Sequence, residues 1–393
     1  MMAWIAATVA VFYALGLLAL ALFYAAHLQI PDERPRADVA LVLPLTGPSP
    51  SLEELLAALA AQSLRPRRLI VAVESRDDPA YRRAAALGGN YAGLRIELVV
   101  AGLSPWRSQK CTNLLAALRQ LDDNDAYVVL FDADIRPQPW WLAALVAPLA
   151  SGRADIVNGY RWQMPKTLSL ATALVAAIDH TIATLPRLSM TRAIWGGSLA
   201  LTRHALQILD LPATIGRALT EDLPIGERAA ETGLRVLTRR AIRVPTPLDG
   251  RFQELWRFGR RQYQLIRIYR PGLWSYAAIV VTTDLIARLV LLSMLIVAGA
   301  SGPALSAILV AAALGSIATE IRLAVGKRLG VAEPIGFRLS QHLLVWLILP
   351  VPGFHASVIW GGFVSSPVRW AHIHYLVDRS GRVVEVMRRP HSD

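Results

Sequence analysis

Cysteine and lysine are scarce in this chain of 393 residues, and each scarcity narrows what the protein can be. Cys111 is the one cysteine, so a disulfide framework and a multi-thiolate metal site are both excluded. Such a composition fits a catalytic domain in a reducing compartment. Lysine occurs at three positions, yet the formal net charge is +12 because nearly all basic residues are arginine.

An excess of basic charge favours anionic partners such as phospholipid headgroups or phosphorylated substrates. No basic segment is interleaved with aromatic residues in the manner of an RNA-binding sheet. We therefore expect a membrane or a phosphorylated ligand as partner, and no nucleic acid.

Apolar residues make up 54% of the chain and are concentrated at its two ends. Residues 3–27 carry no Asp, Glu, Lys or Arg and are long enough to cross a bilayer. They lack the basic start and small-residue cleavage site of a signal peptide, which favours an uncleaved anchor over residues 1–29. Arginines follow this anchor and none precedes it, so the positive-inside rule predicts that the chain from residue 30 onward is cytoplasmic.

The C-terminal part of the chain also has the character of a membrane protein. Residues 251–273 are basic and aromatic with helical spacing, which predicts an interfacial amphipathic helix. Residues 274–366 are predicted to form transmembrane or re-entrant helices, with a break at Pro350–Gly353. Asp284 and Arg288 are expected to pair inside this region. The tail, residues 367–393, alternates like short strands.

Between the apolar ends, residues 30–250 alternate between strand-like and helix-like segments. Four apolar runs have strand character: ADVALVLPL, RRLIVAVES, LRIELVVAG and AYVVLFDAD. Strand–helix alternation predicts an α/β domain with a mainly parallel sheet. Ligands bind such sheets at the carboxyl ends of the strands, which here carry Glu74, Asp78, Asp132 and Asp134.

Two acidic groups at these strand ends have a functional and an ordinary structural interpretation. Asp132 and Asp134 could hold a divalent cation that bridges the diphosphate of a nucleotide, or they could form a solvated acidic turn. Glu74 and Asp78 could hydrogen-bond a base or ribose. Alternatively, Asp78 caps a helix that starts at Pro79.

Two further groups of residues also allow both a functional and a structural interpretation. Asp222, next to Glu221, could be a general base, or the acidic pair could simply favour the dipole at the start of a helix. Arg257, Arg260 and Arg261 could clamp a diphosphate, or they could attract the chain to anionic lipid.

The order of these groups resembles a known family signature. Asp78 in RDDPA, Asp132 in FDAD, Asp222 in TED and the arginines of RxxRR match the pattern D, D, D, (Q/R)xxRW of inverting GT-A-type processive and lipid glycosyltransferases. The chain most resembles the ceramide glucosyltransferases of glycosyltransferase family 21 and the related bacterial hopanoid-associated glycosyltransferases. Its LPLTG, VESRDDPA and SQKCTN segments are similar to family segments, and His180 lies sixteen residues before Gly196 as in that family. Arg261 stands where the family has tryptophan.

The resemblance implies a GT-A catalytic domain, residues 30–250, fused to transmembrane helices at both ends, with bacterial inner membrane as the expected location. It implies inverting transfer of a sugar, glucose first, from a UDP-sugar to the hydroxyl of a ceramide-like lipid at the cytoplasmic leaflet. Asp222 would be the general base, and Asp132 and Asp134 would hold Mg²⁺ or Mn²⁺. The implied nucleotide-sugar-binding residues are Glu74, Asp78, Lys110, Asn113, Asp132, His180, Arg257, Arg260 and Arg261.

Three alternatives remain open. The acceptor could be a hopanoid or a diacylglycerol. The chain could be a processive polysaccharide synthase, although such enzymes generally need more spans than the three or four expected here. It could also be an inactive membrane scaffold, against which the intact Asp132, Asp134 and Asp222 argue.

Overall fold

The computed structural model describes residues 1–91, 93–186, 192–297, 302–331, 333–364 and 367–388, and it divides into two compact units. The sheet unit comprises the described residues of Ile30–Arg161, Arg187–Thr246 and Ser366–Asp393. The helical unit comprises those of Met1–Gln29, Trp162–Pro186 and Pro247–Ser365. The domain boundaries expected from the sequence stay a prediction.

A seven-stranded sheet with the order β3-β2-β1-β4-β6-β5-β7 forms the centre of the sheet unit. Its strands are β1 (Val39–Pro44), β2 (Arg68–Val73), β3 (Ile96–Val100), β4 (Tyr127–Phe131), β5 (Ile156–Pro165), β6 (Ser198–Thr202) and β7 (Val236–Leu248). Strands β1 to β4 are parallel to one another, whereas β6 is antiparallel to both β4 and β5. These first four strands are the predicted ones, and the predicted α/β class with a mainly parallel sheet is confirmed.

Both faces of this sheet are covered, which explains why the strands are continuous apolar runs. Every residue of β1 and β2 is buried, as expected for parallel strands with helices on both sides. The helices are α2 (Leu52–Ala60), α3 (Pro79–Leu87), α4 (Gln109–Leu118), α5 (Trp141–Ala150), α7 (Arg203–Leu209), α8 (Leu211–Thr214) and α9 (Asp222–Glu231). Residues of α2, α3 and α5 pack in one apolar cluster, and residues of α4, α7, α8 and α9 pack in another.

The tail forms a second, three-stranded antiparallel sheet with the order β10-β9-β8. Its strands are β8 (Val368–Trp370), β9 (Ile373–Val377) and β10 (Val383–Arg388). The small sheet is attached to the rest of the unit by hydrogen bonds: Val383 N donates to Arg217 O at 2.8 Å, and Gln109 N donates to the Tyr375 hydroxyl at 3.0 Å. Residues near the C-terminus therefore contact the start of α4.

The helical unit contains α1 (Met2–Ala26), α6 (Leu170–Ala183), α10 (Phe252–Tyr269), α11 (Pro271–Val297), α12 (Gly302–Arg328), α13 (Ile335–Trp346) and α14 (Pro350–Gly361). Within the described ranges, α1, α11 and α12 are long and apolar enough to cross a membrane, and α13 with α14 could make a fourth, bent span. Apolar helices at both ends of the chain are thus confirmed, and they indicate membrane association. The expected pair in α11 is also present, with Arg288 Nε 2.9 Å from Asp284 Oδ2.

The break between α13 and α14 bends the chain by 83°. It lies at residues 347–349, where Ile348 has a left-handed φ of 57°, and so precedes Pro350 instead of spanning Pro350–Gly353. Proline fits the first position of a helix, because its missing N–H has no partner there in any case. Pro350 therefore starts α14, and Gly353 lies within it.

Candidate functional site

A buried lysine joins two acidic residues at the carboxyl edge of the sheet. The Lys110 ammonium lies 2.7 Å from Asp132 Oδ1 and 2.6 Å from Glu221 Oε1. Lys110 is in the first turn of α4, Asp132 follows β4, and Glu221 immediately precedes α9. Burial alone would lower the pKa of Lys110, but the carboxylates of Asp132, Glu221 and Asp222 raise it well above its ordinary value. Lys110 therefore keeps its positive charge.

Glu221 is the most deeply buried member of this cluster. Its side chain is 1% exposed, and burial raises its pKa to about 7 even though Lys110 acts in the opposite direction. A carboxyl group with a pKa near neutrality can exist in both protonation states at physiological pH, which is a property of functional sites.

Two consecutive glycines let these carboxylates approach the backbone. A Cβ at Gly196 would clash with Glu221 Oε1, and a Cβ at Gly197 would clash first with the Trp195 ring and would also lie 2.8 Å from Asp132 Oδ2. No side chain fits at such distances. The sequence marked this glycine pair only by its spacing from His180, and the structure gives it a steric reason.

Asp222 is half-buried and begins α9. Its Oδ1 accepts hydrogen bonds from the Thr220 hydroxyl at 2.7 Å and from Leu223 N at 2.8 Å, whereas Oδ2 has only a long contact of 3.5 Å with Gly196 N. One oxygen is thus fixed and the other is weakly occupied. A helix-start position and a role as a proton acceptor are compatible at this residue.

Asp78 shows the capping geometry that its position before proline predicts. Its carboxylate accepts a hydrogen bond from Ala80 N at 2.8 Å and another from Gly47 N at 3.0 Å, and the side chain is buried. Most of its hydrogen-bonding capacity is therefore used within the protein. The predicted contact of Asp78 with a nucleoside stays a prediction.

A second polar group connects the C-terminal strand β10 to the main sheet. Arg388 Nη1 donates to Glu74 Oε2 at 3.0 Å, and Arg388 also donates to the side-chain oxygen of Gln109. Gln109 in turn donates to Asn113 Oδ1 at 2.8 Å, and Asn113 donates to Leu45 O at 2.7 Å. Glu74 and Asn113, both predicted site residues, are brought together by two residues that the sequence analysis missed.

Asp134 is exposed and lies two residues after Asp132 in the sheet unit, whereas four predicted residues belong to the helical unit: His180, Arg257, Arg260 and Arg261. His180 Nε2 lies 2.9 Å from Gln163 O, its ring is stacked on Trp162, and burial lowers its pKa to about 4, so the ring is neutral. Arg260 Nε donates to Gly361 O at 2.7 Å, at the C-terminal end of α14. Arg261 lies over the Phe258 ring, and Arg257 is exposed. Their assignment to a nucleotide-sugar site stays a prediction from the resemblance.

A mainly parallel sheet with charged side chains at its strand ends is the arrangement of α/β enzymes that bind phosphorylated ligands. The family model of glycosyl transferase family 21 matches residues 2–383, so the chain belongs to that family, and the resemblance stated above is confirmed. No curated relative matches the chain.

Solved structures of other glycosyltransferases are also similar. Mannosyltransferase PcManGT from Pyrobaculum calidifontis, in complex with GDP-Man and Mn²⁺, is 20% identical with a TM-score of 0.45, over 92% of this chain and 99% of that one. Glucosyl-3-phosphoglycerate synthase from Mycobacterium tuberculosis, in complex with Mn²⁺ and UDP-glucose, is 19% identical with a TM-score of 0.38, over 59% of this chain and 78% of that one. Both likenesses are distant.

The contact between Gly196 and Glu221 generates a stability prediction. Gly196→Ala places a methyl group against a carboxylate that cannot move without leaving Lys110, so it should lower the free energy of unfolding by about 1–3 kcal/mol. Glu221→Ala removes the clash. The double variant should therefore be more stable than the sum of the two single effects predicts, as measured by denaturant titration in detergent.

Gly89→Ala is the matched control, since a Cβ there meets no atom within 4 Å. Its stability should be unchanged or slightly raised. If the two substitutions change the free energy of unfolding additively, the contact with Glu221 is not the reason why position 196 requires glycine.

Proposed function

We propose that this glycosyltransferase moves a sugar, glucose first, from a UDP-sugar to the hydroxyl of a ceramide-like membrane lipid, with inversion at the anomeric carbon. The observation that carries the proposal is the cluster of Lys110, Asp132 and Glu221 at the sheet edge of a chain that belongs to family 21 over nearly its whole length. In this cluster the Lys110 ammonium supplies positive charge near the expected diphosphate position. The neighbouring carboxylate of Asp222 supplies a proton acceptor.

Asp132 and Asp134 fit a hard divalent cation by their chemistry. Both offer carboxylate oxygens, the ligands that Mg²⁺ and Mn²⁺ prefer. Asp134 is exposed and Asp132 is 30% exposed. No group of three or more His, Cys, Asp or Glu suited to a metal occurs among the residues that the structure describes. Two carboxylates supply only some of the ligands that such a cation takes, so diphosphate oxygens and water would supply the rest. When bound, the cation would supply Lewis-acid stabilisation of the leaving diphosphate.

Asp222 is the proposed general base. The hydrogen bonds from Thr220 and Leu223 hold Oδ1, so Oδ2 is the oxygen that takes the proton of the lipid hydroxyl. The deprotonated oxygen attacks the anomeric carbon, and the bond from that carbon to the diphosphate breaks, with its electron pair leaving on UDP. One displacement from the opposite face inverts the configuration. The positive charge of Lys110 favours the negative charge that grows on the leaving group.

The polar group around Glu74 is proposed to receive the nucleoside. Glu74, Asn113 and Gln109 form one hydrogen-bonded chain with Arg388, so the tail strand β10 would complete this end of the donor site. Acidic and amide side chains at strand ends are suited to ribose hydroxyls and to the edge of a base. Arg388 would then set the position of Glu74 for this contact.

The reaction is proposed to occur at the cytoplasmic leaflet of a membrane, the bacterial inner membrane being the expected one. Arginines follow α1, and Lys327 and Arg328 end α12, so the positive-inside rule places these ends in the cytoplasm. The bend between α13 and α14 lets this pair re-enter on the same side, which keeps the arginine-rich tail cytoplasmic as well.

Cysteine labelling tests this topology, because the native Cys111 is buried and should not react. Ser380→Cys lies in the exposed turn between β9 and β10. We expect a membrane-impermeant maleimide to label it only after permeabilisation of the cells. Met2→Cys, at the exposed N-terminus, should be labelled in intact cells. Labelling of position 380 in intact cells would place the tail outside and contradict the re-entrant arrangement.

The metal and the reaction are tested together with the purified full chain, UDP-glucose and ceramide in mixed micelles, with the glycolipid detected by mass spectrometry. EDTA should abolish transfer, and Mn²⁺ or Mg²⁺ should restore it. Asp132→Ala should also weaken UDP-glucose binding, because the diphosphate loses its counter-charge. Asp123→Ala, at an exposed site before β4, is the control and should keep wild-type activity.

Full activity in EDTA would remove the metal role but leave the transferase intact. Transfer to a hopanoid or a diacylglycerol in place of ceramide would correct the acceptor. No transfer with any of these acceptors would contradict the proposed function itself.

Asp222→Asn separates chemistry from binding. Asparagine keeps the shape but cannot take a proton, so kcat should fall by about 10²–10⁴, while the affinity for UDP-glucose stays within a few-fold. The matched control is Asp210→Asn, which makes the same change at the exposed start of α8, where asparagine caps as well as aspartate. Near-normal turnover of Asp222→Asn would reject it as the base, and Glu221 would be the next candidate.

A further inference from the structure

A cavity of about 130 Å³ lies inside the helical unit. Residues of α1, α6, α11, α12, α13 and α14 line it, so all the helices apolar enough to cross a membrane contribute. Its volume is close to that of an engineered apolar cavity that binds benzene. The lining is mainly apolar, so the few charged residues in it indicate what kind of ligand the cavity could bind.

Arg322 of α12 lines this cavity with an uncompensated charge. Its side chain is 8% exposed. The guanidinium donates to the Thr184 hydroxyl at 3.3 Å and to Leu17 O at 3.5 Å, and both contacts are long. In the described parts of the chain, no carboxylate forms an ion pair with it. Three of its five N–H donors are thus without an acceptor, and a buried cation in that state is strongly unfavourable.

The nearby acidic residues are already paired. Asp284, which also lines the cavity, lies 2.9 Å from Arg288, another lining residue. Glu320, two residues before Arg322, is paired with Arg338 at 2.9 Å and lies 2.7 Å from His342. Among the Asp, Glu, Lys and Arg side chains of the lining, Asp284 and Arg288 compensate each other, so Arg322 adds one positive charge in excess.

We infer that the cavity binds the phosphate of an anionic membrane-lipid headgroup, with Arg322 as its main contact. A phosphodiester carries the single negative charge that the lining lacks, and its oxygens match the forked donors of a guanidinium. The binding site belongs to the helical unit alone and does not depend on the proposed sugar transfer.

The surroundings favour a lipid phosphate over a free phosphate ion. The lining is mainly apolar, which suits the glycerol and acyl part of a lipid and disfavours a hydrated ion. Arg322 also lies six residues before Arg328, the last residue of α12, or about 9 Å along the helix. A 27-residue helix is longer than the bilayer core, so this depth is close to the headgroup region.

Native mass spectrometry of the full chain in detergent tests the inference with dioleoylphosphatidylglycerol as the anionic probe and dioleoylphosphatidylcholine as the neutral one. The wild type should bind one phosphatidylglycerol at least tenfold more tightly than phosphatidylcholine. Arg322→Gln should remove this preference, and Arg322→Lys should keep part of it. Ala177→Phe, which fills the cavity from α6 without changing a charge, should also remove it.

Arg328→Gln is the matched control, because it removes the same charge from an exposed position at the end of the same helix. Its affinity for phosphatidylglycerol should stay within about threefold of the wild type. An equal loss in Arg328→Gln and Arg322→Gln would assign the preference to surface attraction and overturn the inference. An unchanged preference in Ala177→Phe would overturn it too, including where Arg322→Gln fails to fold. Inorganic phosphate that binds the wild type as tightly as the lipid, and is lost with Arg322→Gln, would show a free-phosphate site instead.

Discussion

The arrangement of side chains at the edge of the sheet depends on the two ion pairs of Lys110, with Asp132 and with Glu221. The ammonium connects three stretches that are distant in sequence: the start of α4, the end of β4 and the residue before α9. A buried charge is tolerated only when its partners are also in place. The contacts of Lys110 therefore fix Asp132 and Glu221 at one place, and Gly196 is needed there because Glu221 leaves no room for a side chain.

The parallel half of the sheet could be predicted because each of its strands is buried on both faces. In the sequence such strands are short apolar runs between polar segments, as in VALVLP and RLIVAV. Strands β5 and β7 give no such signal. β7 contains Arg239, Arg240 and Arg243 as well as two prolines, and its arginines are stabilised by contacts made after folding, such as Arg239 with Glu33 at 2.8 Å. A local pattern cannot reveal a strand whose charges are compensated by a residue two hundred positions away.

The candidate site also contains residues that the sequence pattern reveals and residues that it does not. The acidic residues at strand ends and at the start of α9 are visible in the sequence, because a polar residue after an apolar run marks an edge of the sheet. Arg388 carries no such mark, since its partner Glu74 lies 314 positions earlier. The sequence pattern also places the break between α13 and α14 a few residues too late, at Pro350–Gly353 instead of residues 347–349. Proline disfavours the continuation of a helix through it, but it fits equally well at the first position of the next helix.

The three chain segments of the sheet unit have a consequence for biosynthesis. Strands β8 to β10 are translated after α10 to α14, so the ribosome has already produced every apolar helix before the last strands of the unit exist. The ribosome adds about 5–20 residues per second. Until β9 and β10 have been synthesised, Glu74 lacks its partner Arg388, and Gln109 at the start of α4 lacks its partner Tyr375. Completion of the sheet unit therefore follows synthesis of the helices, and a chain that stops short of β10 lacks part of the polar group around Glu74.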